Sequence, residues 1–354
     1  MAKVPAAVAA VRSAVRRALT DVAPGALVLV ACSGGADSLA LAAAAAFVAR
    51  RAGLRAGLVT VDHGLQAGSA ARARDVVGWA EPAGFEPAIV STVDVGGLPG
   101  GPEAAARTAR YAALRAAADR YGAAAVLLGH TRDDQAETVL LALARGAGPR
   151  GMAGMPYRNG IFIRPLLGVG RAETRAACAA LGLVAWADPH NTDPAYARSR
   201  VRGSALPALV AALGPAVVDN LARTAELLAA DVAVLDALAA SALRAARTER
   251  GLSVPVLSEL EPAIRGRVLH AWARELGAAG GALSHRHVAA LDALVTGWHG
   301  QKAVALPGAI RVRRIRGALG AADLVADPPG DLSRLDGVTG PADRPGDPPG
   351  GRGL

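Results

Sequence analysis

The chain has 354 residues, enough for two domains and a tail around a sizeable core. Its 52% hydrophobic content is dominated by alanine, aromatics are only 3%, and the uncharged apolar run at 39–49 is far short of the ~20 residues that span a bilayer, so no membrane association is expected. A net charge of +9 favours a polyanionic partner; it is carried almost wholly by arginine, since Lys3 and Lys302 are the only lysines, and the two distant cysteines, Cys32 and Cys178, exclude a CxxC zinc or iron–sulfur framework.

Residues 1–24 read as an amphipathic helix with Arg12, Arg16 and Arg17, not as a signal peptide, and a cytoplasmic location is expected. An apolar run at 26–31 predicts a strand, and an Ala/Leu-rich run at 37–51 predicts a helix. Between them lies Ser33-Gly34-Gly35-Ala36-Asp37-Ser38. A strand turning through paired glycines into a helix start makes a phosphate cradle. The glycines let the backbone approach an anion, and the unpaired amides of the first helical turn point at it. The serines add hydroxyl donors, and Asp37 is the candidate ligand for a cation such as Mg²⁺. The segment is neither GxxxxGK[ST] nor GxGxxG.

Further strands are expected at 56–62, 88–94, 123–129 and 161–166, with helices at 67–83, 102–121, 133–145 and 171–181. This alternation implies an α/β domain over 25–210, a doubly wound parallel sheet that binds its ligand at the carboxyl ends of the strands. Three polar clusters fall at such ends: the 33–38 turn, Asp62-His63-Gly64, and Gly129-His130. In Gly129-His130-Thr131-Arg132-Asp133-Asp134-Gln135-Ala136-Glu137-Thr138 an aspartate is available to cap the helix, but Asp134 and Glu137 make more acid than a cap requires. Two carboxylates at the mouth of a nucleotide site suit a cationic amino group or a metal. Arg107 and Arg110 lie one helical turn apart.

From Leu206-Pro207 onward the pattern becomes helical, with helices at 215–247, 262–276 and 284–298. A short meander follows at 304–306, 310–315 and 322–325, so 211–326 reads as a smaller helical domain. Residues 327–354, rich in Pro, Gly and Asp, are expected to be disordered. Arg198, Arg200 and Arg202 alternate at the junction. Read as an extended segment, they share one face.

Taken together, SGGADS, VDHGL at 61–65, ARTARYAAL at 106–114, GHTRDDQAETVLLALARGAG at 129–148, GMAGM at 151–155, RPLL at 164–167 and DPHNTD at 188–193 resemble the tRNA(Ile)-lysidine synthetases of the PP-loop ATP pyrophosphatase superfamily. The resemblance is close over 25–210 and weaker through GWHGQ at 297–301 and LPG at 306–308. It implies a sheet of the adenine-nucleotide α-hydrolase type. It also implies adenylation by ATP of the C2 oxygen of the wobble cytidine in a CAU-anticodon tRNA(Ile), then attack by free L-lysine. By resemblance, Ser33, Gly34, Gly35, Ala36, Asp37 and Ser38 hold the phosphates, and Asp62 and His63 lie near adenine and ribose. Asp37 holds Mg²⁺, and Asp134 and Glu137 bind lysine. His130 and Arg107 serve at the reacting centre, and Arg110, Arg198, Arg200 and Arg202 hold tRNA. Two positions depart from the family: Gln66 stands where Arg is usual, and Ala309 where a second Gly is common. The alternative is a PP-loop tRNA thiolation enzyme, which the cysteine pattern disfavours; a non-catalytic ATP sensor would leave Asp134 and Glu137 without a task. The oligomeric state stays open, a homodimer included.

Overall fold

The computed structural model describes residues 4–64, 68–96, 101–186, 193–316 and 322–327. The chain divides into two units, Met1–Val232 and Ala233–Leu354. The first opens with α1 (Ala6–Ala18), β1 (Leu27–Ala31), α2 (Ala36–Ala52), β2 (Arg55–Asp62) and α3 (Ser69–Ala80). It continues with β3 (Ala88–Thr92), α4 (Gly101–Tyr121), β4 (Ala123–Leu127), α5 (Arg132–Ala144) and α6 (Gly148–Met152). Then come β5 (Arg158–Asn159), β6 (Phe162–Ile163), α7 (Arg171–Ala180), α8 (Ala197–Arg200), a π-helical turn (Val201–Ala205) and α9 (Leu206–Leu213). Helix α10 (Ala216–Ala246) contributes residues to both units.

The six strands lie in the order β3-β2-β1-β4-β6-β5, parallel except for the β5–β6 pair at the edge. Strand alternation divides β1 between two layers. Val28 and Val30 face the core built with α1, α2 and α7, while Leu27 and Leu29 pack with Leu114, Ala117 and Ala118 of α4. This is a doubly wound sheet whose chain order reverses between β1 and β4, the place where such sheets bind ligands. The strand expected over 161–166 is reduced to Phe162–Ile163. Pro165 brings no N–H to a ladder and instead opens a 3₁₀ turn, Pro165–Gly168.

The second unit adds β7 (Leu252–Ser253), α11 (Val254–Ser258), α12 (Pro262–Glu275), α13 (His285–Thr296), β8 (Val304–Leu306), β9 (Ile310–Arg316) and β10 (Ala322–Asp327). Its strands form an antiparallel sheet in the order β7-β10-β9-β8, so the expected meander gains a fourth, two-residue strand. Leu257, Leu269, Trp272, Leu291, Leu294 and Leu324 build its core. Arg265, itself buried, pairs with Asp292 at 2.6 Å. Between β8 and β9, Ala309 has φ +58°. Asp327 belongs to β10, and the rest of the segment expected to be disordered, 328–354, lies outside the described residues.

Candidate active site

Strands β2, β1 and β4 are neighbours, so the three polar clusters at their carboxyl ends stand side by side. After β1, Gly34 takes φ +81°, a conformation that costs other residues but not glycine. Its carbonyl accepts the backbone N–H of Trp186 at 2.9 Å. Gly35 is the N-cap of α2, so the amides of Ala36, Asp37 and Ser38 belong to the first helical turn, which the helix itself leaves unpaired. Ser38 Oγ donates to Gly35 O (2.9 Å) and accepts the Ser33 N–H (3.2 Å), bracing the loop from inside. Ser33 is exposed, and its Oγ lies 3.3 Å from Ser38 Oγ. Gly129 permits a close approach on the other side: a Cβ there would sit 3.2 Å from Ser38 Cα.

At the end of β2, the carboxylate of Asp62 is held below its ordinary range by the Ser69 hydroxyl and the Gly64 N–H, the latter at 3.0 Å. His63 follows it. Leu65 and Gln66 lie outside the described residues, as do 187–192, which carry most of the DPHNTD segment.

At the end of β4, Thr131 caps α5 in a reciprocal box. Its N–H (2.8 Å) and hydroxyl (2.9 Å) both donate to Asp134 Oδ2. The other oxygen, Asp134 Oδ1, points into a cluster. Arg171 Nη2 donates to Asp134 Oδ1 (2.7 Å) and Glu137 Oε1 (3.0 Å). Arg202 Nε donates to Glu137 Oε1 (2.8 Å), and its Nη2 to Glu137 Oε2 and Asp134 Oδ1 (both 3.1 Å). Arg198 Nε is 3.7 Å from Glu137 Oε2. The Glu137 side chain is 0% exposed, so its charge is tolerable only with such partners. Burial pushes the Asp134 carboxyl up, but Arg171, the Thr131 N–H and Arg202 outweigh it and hold the group below its ordinary range.

Asp37, in the first turn of α2, joins the same cluster. Its Oδ1 accepts the Thr174 hydroxyl, and its Oδ2 lies 3.9 Å from Arg171 Nε. Burial raises its pKa; Thr174 opposes the shift and the charge of Asp134 adds to it. One guanidinium, Arg171, thus touches Asp37, Asp134 and Glu137.

Beyond Asp134 the sign of the site changes. His130 is pushed down to about 3 by burial, with Asp134 opposing and Arg110, Arg164 and Arg107 reinforcing; it is neutral at pH 7, and its Nδ1 has no hydrogen-bond partner among the described residues. Arg107 is exposed, with its guanidinium 5.0 Å from the Tyr111 ring centroid. Arg110 is lowered by burial and by Arg107. Arg164 donates to Tyr111 Oη (3.1 Å) and Pro156 O (2.8 Å).

One expectation is corrected. Residues 198–202 are not extended: they run through α8 into the π turn. At helical spacing Arg198 and Arg202 share a face and reach Glu137, while Arg200 turns back to donate to Pro194 O (2.7 Å) and Ala195 O (2.9 Å). Arg200 is a brace for its own turn, apart from the other two. Sequence reasoning missed Arg171 and Thr174. A cation at the first position of a helix opposes the helix dipole, and that was the available signal that Arg171 answers nearby carboxylates.

Both cysteines are buried, and burial holds each thiol above its ordinary range, unlike an activated thiolate. No described helix is long and apolar enough to cross a membrane.

Comparison with known proteins agrees with this geometry. The PP-loop domain family matches residues 9–209, and the TilS substrate binding domain matches residues 252–319. The tRNA(Ile)-lysidine synthase of Salinispora arenicola is 66% identical over 328 residues, covering 91% of this chain and 98% of that protein. Those of Thermobifida fusca and Streptomyces coelicolor are 57% and 55% identical, covering 89% and 88% of this chain and 97% of each relative. Among solved structures, the U34-tRNA thiolase NcsA from Methanococcus maripaludis superposes with a TM-score of 0.53 at 19% identity, over 63% of this chain and 78% of that one; this likeness concerns the fold alone. With the PP-loop match spanning more than half of the chain and relatives two-thirds identical along nearly their whole length, the chain belongs to the tRNA(Ile)-lysidine synthase family.

Proposed function

We propose that the protein ligates free L-lysine to C2 of the wobble cytidine of a CAU-anticodon tRNA(Ile), consuming ATP and releasing AMP and pyrophosphate. The observation that carries this reading is the single guanidinium of Arg171, which joins the carboxylate of the phosphate loop, Asp37, to the buried pair Asp134 and Glu137. A nucleotide cradle and a site for an organic cation are thereby adjacent, as a ligase joining an amine to an adenylated centre requires.

The roles follow from the chemistry of each group. The amides of residues 36–38 and the Ser33 hydroxyl receive phosphate oxygens at a helix N-terminus. Asp62 and His63, on the neighbouring strand end, flank the nucleoside. Asp37 fits a divalent cation: it is partly buried, its carboxyl is raised by that burial, and its nearest guanidinium is 3.9 Å away. Mg²⁺ bound there would neutralise the triphosphate and favour departure of pyrophosphate. The cytidine C2 oxygen displaces pyrophosphate at the α-phosphorus. The lysine amine, having lost its proton, attacks C2, and the C–O bond to AMP breaks. Asp134 and Glu137 hold lysine by charge-assisted hydrogen bonds. Arg107 and Arg110 face the anionic partners, the α-phosphate and the anticodon backbone. His130, neutral and with a buried unpartnered Nδ1, contributes a hydrogen bond rather than a charge at the reacting centre. Arg198 and Arg202 supply tRNA phosphate contacts.

The test is ATP–pyrophosphate exchange. The proposal requires exchange that depends on the CAU-anticodon tRNA and proceeds without lysine. Exchange that needs lysine, or that runs without tRNA, contradicts it.

A further inference from the structure

We propose that Arg202 occupies the lysine site in the free protein as a stand-in for the substrate ammonium, and that tRNA withdraws it, so that lysine binds productively only after tRNA. The inference rests on the lysine-binding reading of Asp134 and Glu137 and adds an order of binding to it.

The first argument is a balance of charge. Asp134 and Glu137 bring two negative charges. Arg171 and Arg202 meet them with two positive ones at hydrogen-bond distance, and Arg198 stands 3.7 Å from Glu137. With Asp37, which Arg171 also touches, three carboxylates meet three guanidinium groups and the cluster is neutral. An ammonium added to this arrangement would be a surplus cation where the Glu137 side chain is 0% and that of Asp134 12% exposed. Burying an uncompensated charge is among the costliest events in a protein interior. Lysine therefore enters by exchange: one guanidinium leaves as the ammonium arrives.

Which guanidinium leaves is decided by how each is held. Arg171 is anchored on every side. Its backbone N–H donates to Asp133 Oδ2 (2.7 Å), and its side chain is 12% exposed and also borders Asp37. Arg202 has a side chain 27% exposed and sits in the π turn Val201–Ala205, between α8 and α9. A π turn holds one residue more than an α turn, and a shift of that surplus rotates its side chains without unwinding the flanking helices. Arg202 is thus the exchangeable partner on a segment built to re-register.

The third observation supplies the pull. Arg198 shares the face of Arg202 and lies within the electrostatic reach of Arg110, which has no carboxylate partner among the described residues. A phosphate backbone laid along Arg110 and Arg198 offers Arg202 a new anion one helical turn from Arg198. The same exchange leaves Asp37, Asp134 and Glu137 with Arg171 and Arg198 and a net charge of −1, the state that attracts an ammonium.

The experiment is calorimetric titration of L-lysine into the full-length protein without ATP, with and without saturating CAU-anticodon tRNA transcript. For the wild type, tRNA should tighten lysine binding at least tenfold. Arg202→Met, which keeps the length of the side chain but not its charge, should show that tightening without tRNA, and tRNA should then add little. Equal lysine affinity of the wild type with and without tRNA overturns the proposal, as does a folded Arg202→Met that binds lysine no tighter than the wild type. If Arg202→Met does not fold, the wild-type comparison still decides. Glu137→Gln separates the two readings. If it binds lysine like the wild type, the carboxylate site itself is wrongly assigned. If it binds lysine poorly while Arg202→Met gains nothing, the site stands and the stand-in role of Arg202 falls.

Discussion

Glu137→Gln is the sharpest perturbation the site offers, because it keeps shape and removes only charge. In the wild type the carboxylate accepts Arg171 Nη2 at 3.0 Å and Arg202 Nε and Nη2 at 2.8 and 3.1 Å. An amide retains one acceptor oxygen and turns the other into a donor facing a guanidinium. Two consequences differ in size. For lysine, the loss of a charge-assisted hydrogen bond is about 1.5–3 kcal/mol, a rise in KM of roughly 10- to 150-fold. For the fold, breaking a buried ion pair costs about 3–5 kcal/mol, and the lower end applies because Asp134 still engages both guanidinium groups and Arg202 is partly exposed. In a unit of this size, that is a fall in Tm of roughly 6–12 °C. The assay is lysine-dependent tRNA modification at 20 °C, with lysine varied at saturating ATP and tRNA, beside pyrophosphate release measured without lysine. The account expects a large rise in lysine KM with tRNA-dependent pyrophosphate release retained. A lysine KM within twofold of the wild type, in a variant whose Tm has fallen, would show that Glu137 serves only the fold.

The double change Arg198→Ala with Arg202→Ala should weaken tRNA binding and lower the slope of log K against log salt by about 1.5–2, two phosphate contacts, whereas Arg200→Ala should leave the slope unchanged and lower Tm; an equal slope loss from Arg200→Ala contradicts the helical reading. His130 gives a pH signature. Its folded value of about 3 lies below the unfolded value near 6.5, so between these limits the unfolded chain binds a proton that the folded chain does not. Stability is lost as pH falls through that window, at up to about 1.4 kcal/mol per unit. Urea unfolding of wild type and His130→Asn should therefore converge from pH 7 to pH 5, and a constant gap rules out the buried neutral imidazole. Ala309→Gly relieves a left-handed alanine at about 1–2 kcal/mol and returns part of that as added chain entropy when unfolded; a net gain of ~0.5–1 kcal/mol should appear in thermal unfolding of the second unit, and no gain would mean that the turn is unstrained.

The phosphate loop was legible because its grammar is local: an apolar run, paired glycines, then a helix start. Asp134 and Glu137 were legible because a spacing of three sets two acids on one helical face beside a strand end. Arg171 was not, because nothing in its own neighbourhood says which carboxylates a guanidinium will meet on other helices. Residues 198–202 misled for a different reason. Arginine at every second position imitates strand alternation, yet the segment continues into the helix opened by Leu206 and Pro207, and the helical period regroups the same residues. Pro165 truncated a strand that hydropathy alone extended, and β7 is two residues long, below the reach of any periodicity.

The central claim is tested most directly by incubating the protein with ATP, Mg²⁺, labelled L-lysine and CAU-anticodon tRNA(Ile) transcript, then counting label in the RNA, with Asp37→Ala as the control. The account predicts one lysine per tRNA in the wild type, one AMP formed for each lysine incorporated, and no label with the folded Asp37→Ala protein. Absence of label with the wild type, or undiminished labelling by Asp37→Ala at saturating Mg²⁺ and ATP, would contradict it.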